Sequence, residues 1–198
     1  MPARLVVLIS GNGSNLQAIL DACAENRLPA DVVAVISNKP QAYGLTRARN
    51  AGVPAIAFPK ADGESRRDYD SRLAALVASY NPDYIVLAGW MRLLSNNFLS
   101  HYPNRVINLH PALPGAFPGT HAIERAYEAW QNGQTDHSGV MVHLVPDEGV
   151  DDGPVLATEK IFFQPEETLE QFEARVHAVE HHLLVNTLRI VIQNHSSI

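Results

Sequence analysis

The sequence predicts an α/β fold: a doubly wound, mostly parallel sheet with a mixed C-terminal edge and a long C-terminal helix. Two observations carry that reading. Apolar runs of strand length, rich in Val and Ile, alternate with amphipathic stretches of helical period, and this alternation sets helices on both faces of a parallel sheet. After Gly133 the order changes to two neighbouring strand-like runs and then one long helical period, which gives the sheet a mixed edge.

Leu5–Ile9 reads as the first buried strand, and Leu16, Ile19, Leu20 and Cys23 as the apolar stripe of the helix after it. Val32–Ile36 is the next strand. Tyr69, Leu73, Leu76 and Tyr80, spaced by four, three and four, form a second stripe. Tyr84–Leu87 and Val106–Leu109 are further strands, and Pro82 and Pro103 just before them end the preceding helices. Gly139–Val145 and Val155–Phe162 are two late strands joined by a polar loop. Thr168-Leu-Glu-Gln171 is a capping box; it opens a helix with Leu169, Phe172, Val176, Val179 and Leu183 on one face. The tail Asn194–Ile198 is expected to fray. Trp90 and Trp130 fit either a core or a pocket.

The 198 residues suit one domain, 1–198, large enough to bury roughly 70% of its unfolded surface. An apolar share of 46% is that of a soluble globule. A net charge of −6 speaks against nucleic-acid and membrane partners, which call for a basic face. With one cysteine, Cys23, no internal disulfide forms, and the expected compartment is the cytoplasm. The five apolar residues before Ser10 are too few for a signal segment or a membrane span.

Three segments carry chemistry. Ser10-Gly-Asn-Gly-Ser-Asn15 lies between the first strand and its helix. Gly11 and Gly13 permit a tight turn, and Ser14 and Asn15 open the helix, where free N–H groups and the dipole favour an anion. It is neither a dinucleotide fingerprint nor a P-loop; an ordinary tight turn and a phosphate monoester site are the two readings. No Lys or Arg follows the turn before Arg27, so backbone donors rather than a basic cluster would hold the phosphate. Asn108-Leu-His-Pro111 ends a strand, where open α/β sheets bind ligands. Asn108 and His110 alternate, so both can face one side, and the Pro- and Gly-rich segment Ala112–Thr120 beside them reads as a shaped wall. Asp147-Glu-Gly-Val-Asp-Asp-Gly-Pro154 joins the late strands. Its carboxylates fail the EF-hand register, while Gly149 and Gly153 allow the unusual backbone angles of a loop carrying a carboxylate inward. His177-Ala-Val-Glu-His181 matches an inverted zinc-peptidase pattern, but no third carboxylate ligand follows, so no metal is expected. Cys23 lies on an apolar stripe and reads as a core thiol.

Together these segments resemble the phosphoribosylglycinamide formyltransferase family over nearly the whole chain. The resemblance rests on Val6–Ile19, Val86–Ser95 (V-L-A-G-W-M-R-L-L-S), Asn108–Pro111 and Asp147–Pro154, in order and with compatible spacing. It implies a Rossmann-like fold and a cytoplasmic enzyme of purine biosynthesis. The reaction would move a formyl group from 10-formyltetrahydrofolate, as co-substrate, to the amine of glycinamide ribonucleotide. By match, Gly13, Ser14 and Asn15 would hold the substrate phosphate, and Met91 and Glu180 would also meet that substrate. Arg66, Met91, Arg92, Leu93 and Leu94 would line the folate site, with Asn108 shared between the ligands. His110 matches the proton donor and Asp151 the aspartate that raises its pKa, leaving Asp152 to solvent. The expected partners are small molecules only, in a monomer or homodimer. Two departures bear on substrate contact: Ala112-Leu-Pro-Gly115 replaces the family's Ser-Leu-Leu-Pro, and Met141 replaces a Ser or Thr. Formyltransferases acting on methionyl-tRNA or amino sugars usually carry a further C-terminal domain, and formylfolate hydrolases an N-terminal one; neither is expected here.

Overall fold

The structure is a computed structural model that describes residues 1–195. One sheet of seven strands, ordered β3-β2-β1-β4-β5-β6-β7, organises it. The strands are β1 (Ala3–Ile9), β2 (Ala30–Ser37), β3 (Ala55–Ala57), β4 (Tyr84–Leu87), β5 (Val106–His110), β6 (His137–Leu144) and β7 (Val155–Phe162). β1 to β5 are parallel, and β6 and β7 continue antiparallel. This is the mixed edge the sequence predicts.

The helices are α1 (Ser14–Ala24), α2 (Tyr43–Asn50), α3 (Arg66–Ala78), α4 (Asn96–Leu99), α5 (Ala122–Gln131) and α6 (Leu169–His195). The alternation along β1 decides which core each residue enters. Leu5, Val7 and Ile9 pack with α1, α2, α5 and α6, whereas Val6 and Leu8 pack with α3 and α4. The sheet is thus covered on both faces, so its inner strands are apolar throughout. α6 starts as its capping box dictates: the Gln171 N–H donates to Thr168 Oγ1 at 3.2 Å and the Thr168 N–H to Gln171 Oε1 at 2.9 Å. No helix among the described residues is long and apolar enough to cross a membrane.

The sequence reading left β3, α2, α4 and α5 undetected. β3 has three residues, none fully buried, and α4 is a single turn. α5 buries Ala122, Ile123, Ala126 and Ala129 and leaves Glu124 and Glu128 exposed, so its helical period was present in the sequence and was missed. In the second stripe, Tyr69 and Leu73 are buried and Leu76 is half-buried, but Tyr80 lies beyond the helix. Of the tail expected to fray, Asn194 and His195 complete α6, and residues 196–198 lie outside the described residues.

Candidate active site

The chain runs β1, β2, β3 outward in one direction and then crosses to β4 on the other side of β1. Ligands of open α/β sheets bind at such a switch, outside the strands' carboxyl ends. The loops after β1 and β4 meet there. The Ser10 N–H donates to the Gly89 carbonyl at 3.0 Å, and Ser10 Oγ accepts the Met91 N–H at 2.8 Å.

After β1, Gly13 takes φ +78°, and a Cβ on it would lie 2.7 Å from the Gly44 Cα. Only a glycine lets α2 approach this closely in a left-handed turn. No side chain caps the start of α1, so its first N–H groups remain available to an anion. The turn has no cation of its own, but the fold brings two from elsewhere. Lys39 lines the same cavity, and Arg47 donates to the Asn12 carbonyl and Asn12 Oδ1 at 2.9 and 2.8 Å. Cations distant in sequence therefore adjoin the backbone cradle, which the local sequence did not reveal. Opposite, buried Glu180 of α6 accepts from Asn15 Nδ2 at 3.3 Å and His177 Nδ1 at 2.7 Å. That hydrogen bond holds the His177 pKa above its ordinary value. Gly13, Ser14, Asn15, Met91 and Glu180 all line this one cavity of about 910 Å³.

A second cavity, of about 360 Å³, adjoins the first and shares Gly89, Met91, Leu109 and Pro111 with it. Trp90–Leu94 form one wall, and Asp147, Val150 and Asp151 another. Asn108, His110 and His143 lie between them. An apolar slot with a few convergent polar groups suits a flat organic ligand.

Asp151 is the hub between these walls. Its Oδ2 lies 3.3 Å from His110 Nδ1 and accepts the Gly119 N–H at 2.9 Å. Its Oδ1 accepts Asn108 Nδ2 at 3.1 Å and lies 3.5 Å from His143 Nε2. Burial works to raise the Asp151 pKa, but the bonds from His143 and Gly119 and the attraction of His110 outweigh it and leave the pKa below the usual range. For His110 the balance is reversed. Burial is the largest influence and lowers its pKa, Asp151 and the Phe117 carbonyl raise it, and His143 and Arg125 lower it further, so the net shift is downward. The expectation that Asp151 lifts the His110 pKa therefore holds for the direction of its contribution and fails for the sum: the imidazole is 5% exposed, and desolvation disfavours its charged form. His110 Nε2 lies 3.1 Å from the Phe117 carbonyl, which also accepts Arg125 Nη2 at 2.9 Å. When Nε2 turns to a ligand, that carbonyl keeps a donor.

Asp151 itself carries the unusual backbone angle, φ +55°, which the sequence reading assigned to Gly149 and Gly153. Of those two glycines, Gly153 is needed for space, whereas at Gly149 only the exposed Asp152 side chain would have to move. A Cβ at Gly153 would lie 1.9 Å from the Leu144 carbonyl oxygen, and one at Gly149 would meet the Asp152 carboxylate at 2.2 Å. Asp152 is exposed and outside the cavity lining.

Met91, Arg92, Leu93, Leu94 and Asn108 all line the second cavity, but Arg66 does not. It pairs with Glu148, the neighbour of lining residues Asp147 and Gly149. The two family departures stay out of both cavities: Ala112 is fully buried, and Met141, paired across the sheet with His110, is 1% exposed. His177 lines the first cavity, and His181 lines a groove between α1 and α6. No group of three or more potential metal ligands occurs among the described residues. His143 is the functional candidate that sequence reasoning passed over; its signal was its position opposite Asn108 in the β5–β6 register.

A family model described as formyl transferase matches residues 3–188. The chain is 46% identical to phosphoribosylglycinamide formyltransferase of Escherichia coli (strain K12), covering 90% of this chain and 82% of that protein. It is 43% identical to the Dictyostelium discoideum protein of the same name, covering 96% and 98%. Among solved structures, glycinamide ribonucleotide transformylase 1 from Symbiobacterium toebii superposes with a TM-score of 0.91 at 40% identity, over 98% of this chain and 89% of that one. The corresponding protein from Geobacillus kaustophilus gives 0.90 at 40% identity, over 97% and 100%. With a matching model over nearly its full length and relatives this similar, the chain belongs to the formyl transferase family.

Proposed function

We propose that this enzyme transfers the formyl group of 10-formyltetrahydrofolate to the amine of glycinamide ribonucleotide, a step of purine biosynthesis. One observation carries the reading: a phosphate-suited cavity and an apolar slot meet beside Asn108, His110 and Asp151. The acceptor's phosphate lies on the Gly13–Asn15 turn with Lys39 near it, and Glu180 meets the rest of that substrate. The donor's pterin lies against Met91–Leu94.

The attacking amine forms a C–N bond to the formyl carbon, and the carbonyl oxygen gains negative charge. Asn108 donates its amide N–H there; losing one such donor costs roughly 10²–10³ in kcat. The bond from the formyl carbon to the folate nitrogen then breaks, and that nitrogen takes a proton. The amine releases the equivalent proton, so a His110 that starts neutral accepts one and passes it on. Asp151 stabilises the imidazolium formed in between.

Absorbance of the deformylated folate, followed with and without glycinamide ribonucleotide, tests this. Turnover that requires the acceptor is expected. Deformylation that proceeds equally without it would make the enzyme a hydrolase, and absence of turnover with any amine would leave only binding.

A further inference from the structure

Asp151 reaches the catalytic centre on a loop, residues 147–154, and two of its ties, to Asn108 and His110, are ones the chemistry must borrow, which leaves the Gly119 N–H and His143 to hold its carboxylate. Asn108 donates to Asp151 in the free protein but to the substrate oxygen during reaction, and His110 must leave Asp151 or Phe117 to move a proton. Asp151 also sits at φ +55°, a conformation that persists in a non-glycine residue only where its surroundings hold it. An anchor away from the carboxylate would hold the loop backbone while those two ties change.

We propose that Glu148 is that anchor: a positioning residue that spans from the Asp151 loop to the helical layer beneath the opposite wall of the donor cavity. Its Oε1 accepts the Asn96 N–H, at the start of α4, at 3.0 Å. Its Oε2 accepts from the Arg66 guanidinium, at the start of α3. Among the described residues, these two hydrogen bonds are the ones that join the loop to α3 or α4. The same layer carries Trp90–Leu94, so Glu148 fixes the spacing between the two walls that hold the donor. The Asn96 N–H first, and then Arg66, keep the Glu148 carboxyl ionised below the usual carboxylate range, so the tie persists into mild acid.

Both partners of the ion pair are partly exposed, 39% for Arg66 and 29% for Glu148. Pairs of that kind add little to global stability. The value of Glu148 is therefore positional, and its loss shows in catalysis before it shows in unfolding. A misplacement of about 1 Å is enough to cost up to about 10²-fold in rate.

The inference rests on the formyl-transfer reading for its kinetic consequence, but its structural part is measured separately. Glu148→Ala, Glu148→Gln and wild type are compared by steady-state kinetics, thermal unfolding and hydrogen exchange of the loop amides. For the Ala variant we expect kcat lowered ~10-fold or more, the acceptor KM within about twofold, and the Tm within a few degrees of wild type. Amides of residues 149–153 should exchange faster. Glutamine retains an acceptor for the Asn96 N–H but no charge for Arg66, so that variant should fall between the two. Wild-type kcat in the Ala variant overturns the proposal, as does unchanged exchange of the loop. A loss of activity that tracks a lowered Tm, with donor and acceptor KM rising together, also overturns it. If the wild type transfers no formyl group, the functional reading fails, and the exchange comparison alone still decides whether Glu148 anchors the loop.

Discussion

At the scale of single residues, His110 is under two opposed influences, burial and Asp151, and burial is the larger. Replacing Asp151 by Asn removes the upward contribution and leaves the downward one. We expect Asp151→Asn to lower kcat by about 10²-fold or more, the range of general acid–base contributions. The limb of the pH–rate profile set by His110 should move to lower pH. Asp152→Asn should change kcat by no more than about twofold, as exposed substitutions do, because Asp152 lies over Gly149 and faces no cavity. Rate profiles of the two variants decide it, and the reverse ranking would remove Asp151 from the centre. Much of this trio was legible in sequence. Asn108 and His110 alternate at a strand end, whereas Asp151 was singled out among the loop's carboxylates only by the family resemblance. His143 was not legible, because a single histidine in an apolar strand has no pattern. Its meaning comes from the antiparallel register with β5, a contact between segments 35 residues apart. The net pKa of His110 was likewise hidden, since it depends on burial that composition does not report.

At the scale of elements, the phosphate turn shows what Gly13 contributes. Its φ of +78° costs an alanine about 1–2 kcal/mol in left-handed strain, and the approach of Gly44 at 2.7 Å adds a backbone clash. Gly52 gives the comparison: φ is +71°, but nothing lies within 4 Å of a Cβ there. Gly52→Ala should lower stability by about the strain alone and leave the acceptor KM unchanged. Gly13→Ala should lower stability further and raise the acceptor KM at least ~10-fold, since the N–H groups of α1 no longer converge. Thermal unfolding and acceptor-dependent kinetics check both; equal effects at the two sites would mean the turn holds no phosphate. Elements bounded by strong signals were legible: β4 and β7 fall at the expected residues, and the capping box at Thr168 opens α6. α2 was not, although its Gly44 and Arg47 complete the phosphate turn. Few of its residues are apolar, and its position follows from packing against β2, β3 and α1 rather than from local period.

At the scale of the whole molecule, the sheet has a core on either face, and buried polar groups accompany both. The smaller one, under α3 and α4, encloses the carboxylate of Asp70, which is 1% exposed. Its Oδ2 accepts the Ser95 N–H at 2.6 Å, which ties α3 to the residue after Trp90–Leu94, while its Oδ1 has no hydrogen-bond partner. Burial raises the Asp70 pKa above its ordinary 3.8, and hydrogen bonding by Ser95, through the N–H, with the attraction of Arg92 and Arg66, offsets only part of that. A folded-state pKa above the unfolded value means that the folded protein holds the proton more tightly. The contribution to stability is therefore fully present below pH 3.8 and is lost as pH rises through the folded pKa. At neutral pH the buried, half-satisfied carboxylate is a net cost. Asp70→Asn keeps an oxygen for the Ser95 N–H and carries no charge to desolvate. We expect this variant to melt at a higher temperature than wild type at pH 7, with the difference shrinking on acidification and gone by about pH 3, below the carboxyl's unfolded pKa. Donor affinity should persist, because the tie to Ser95 remains. Tm measured against pH for both proteins provides the test. A variant less stable than wild type at pH 7, by a margin that disappears in acid, would show that Arg92 and Arg66 outweigh burial and that the Asp70 charge supports the fold.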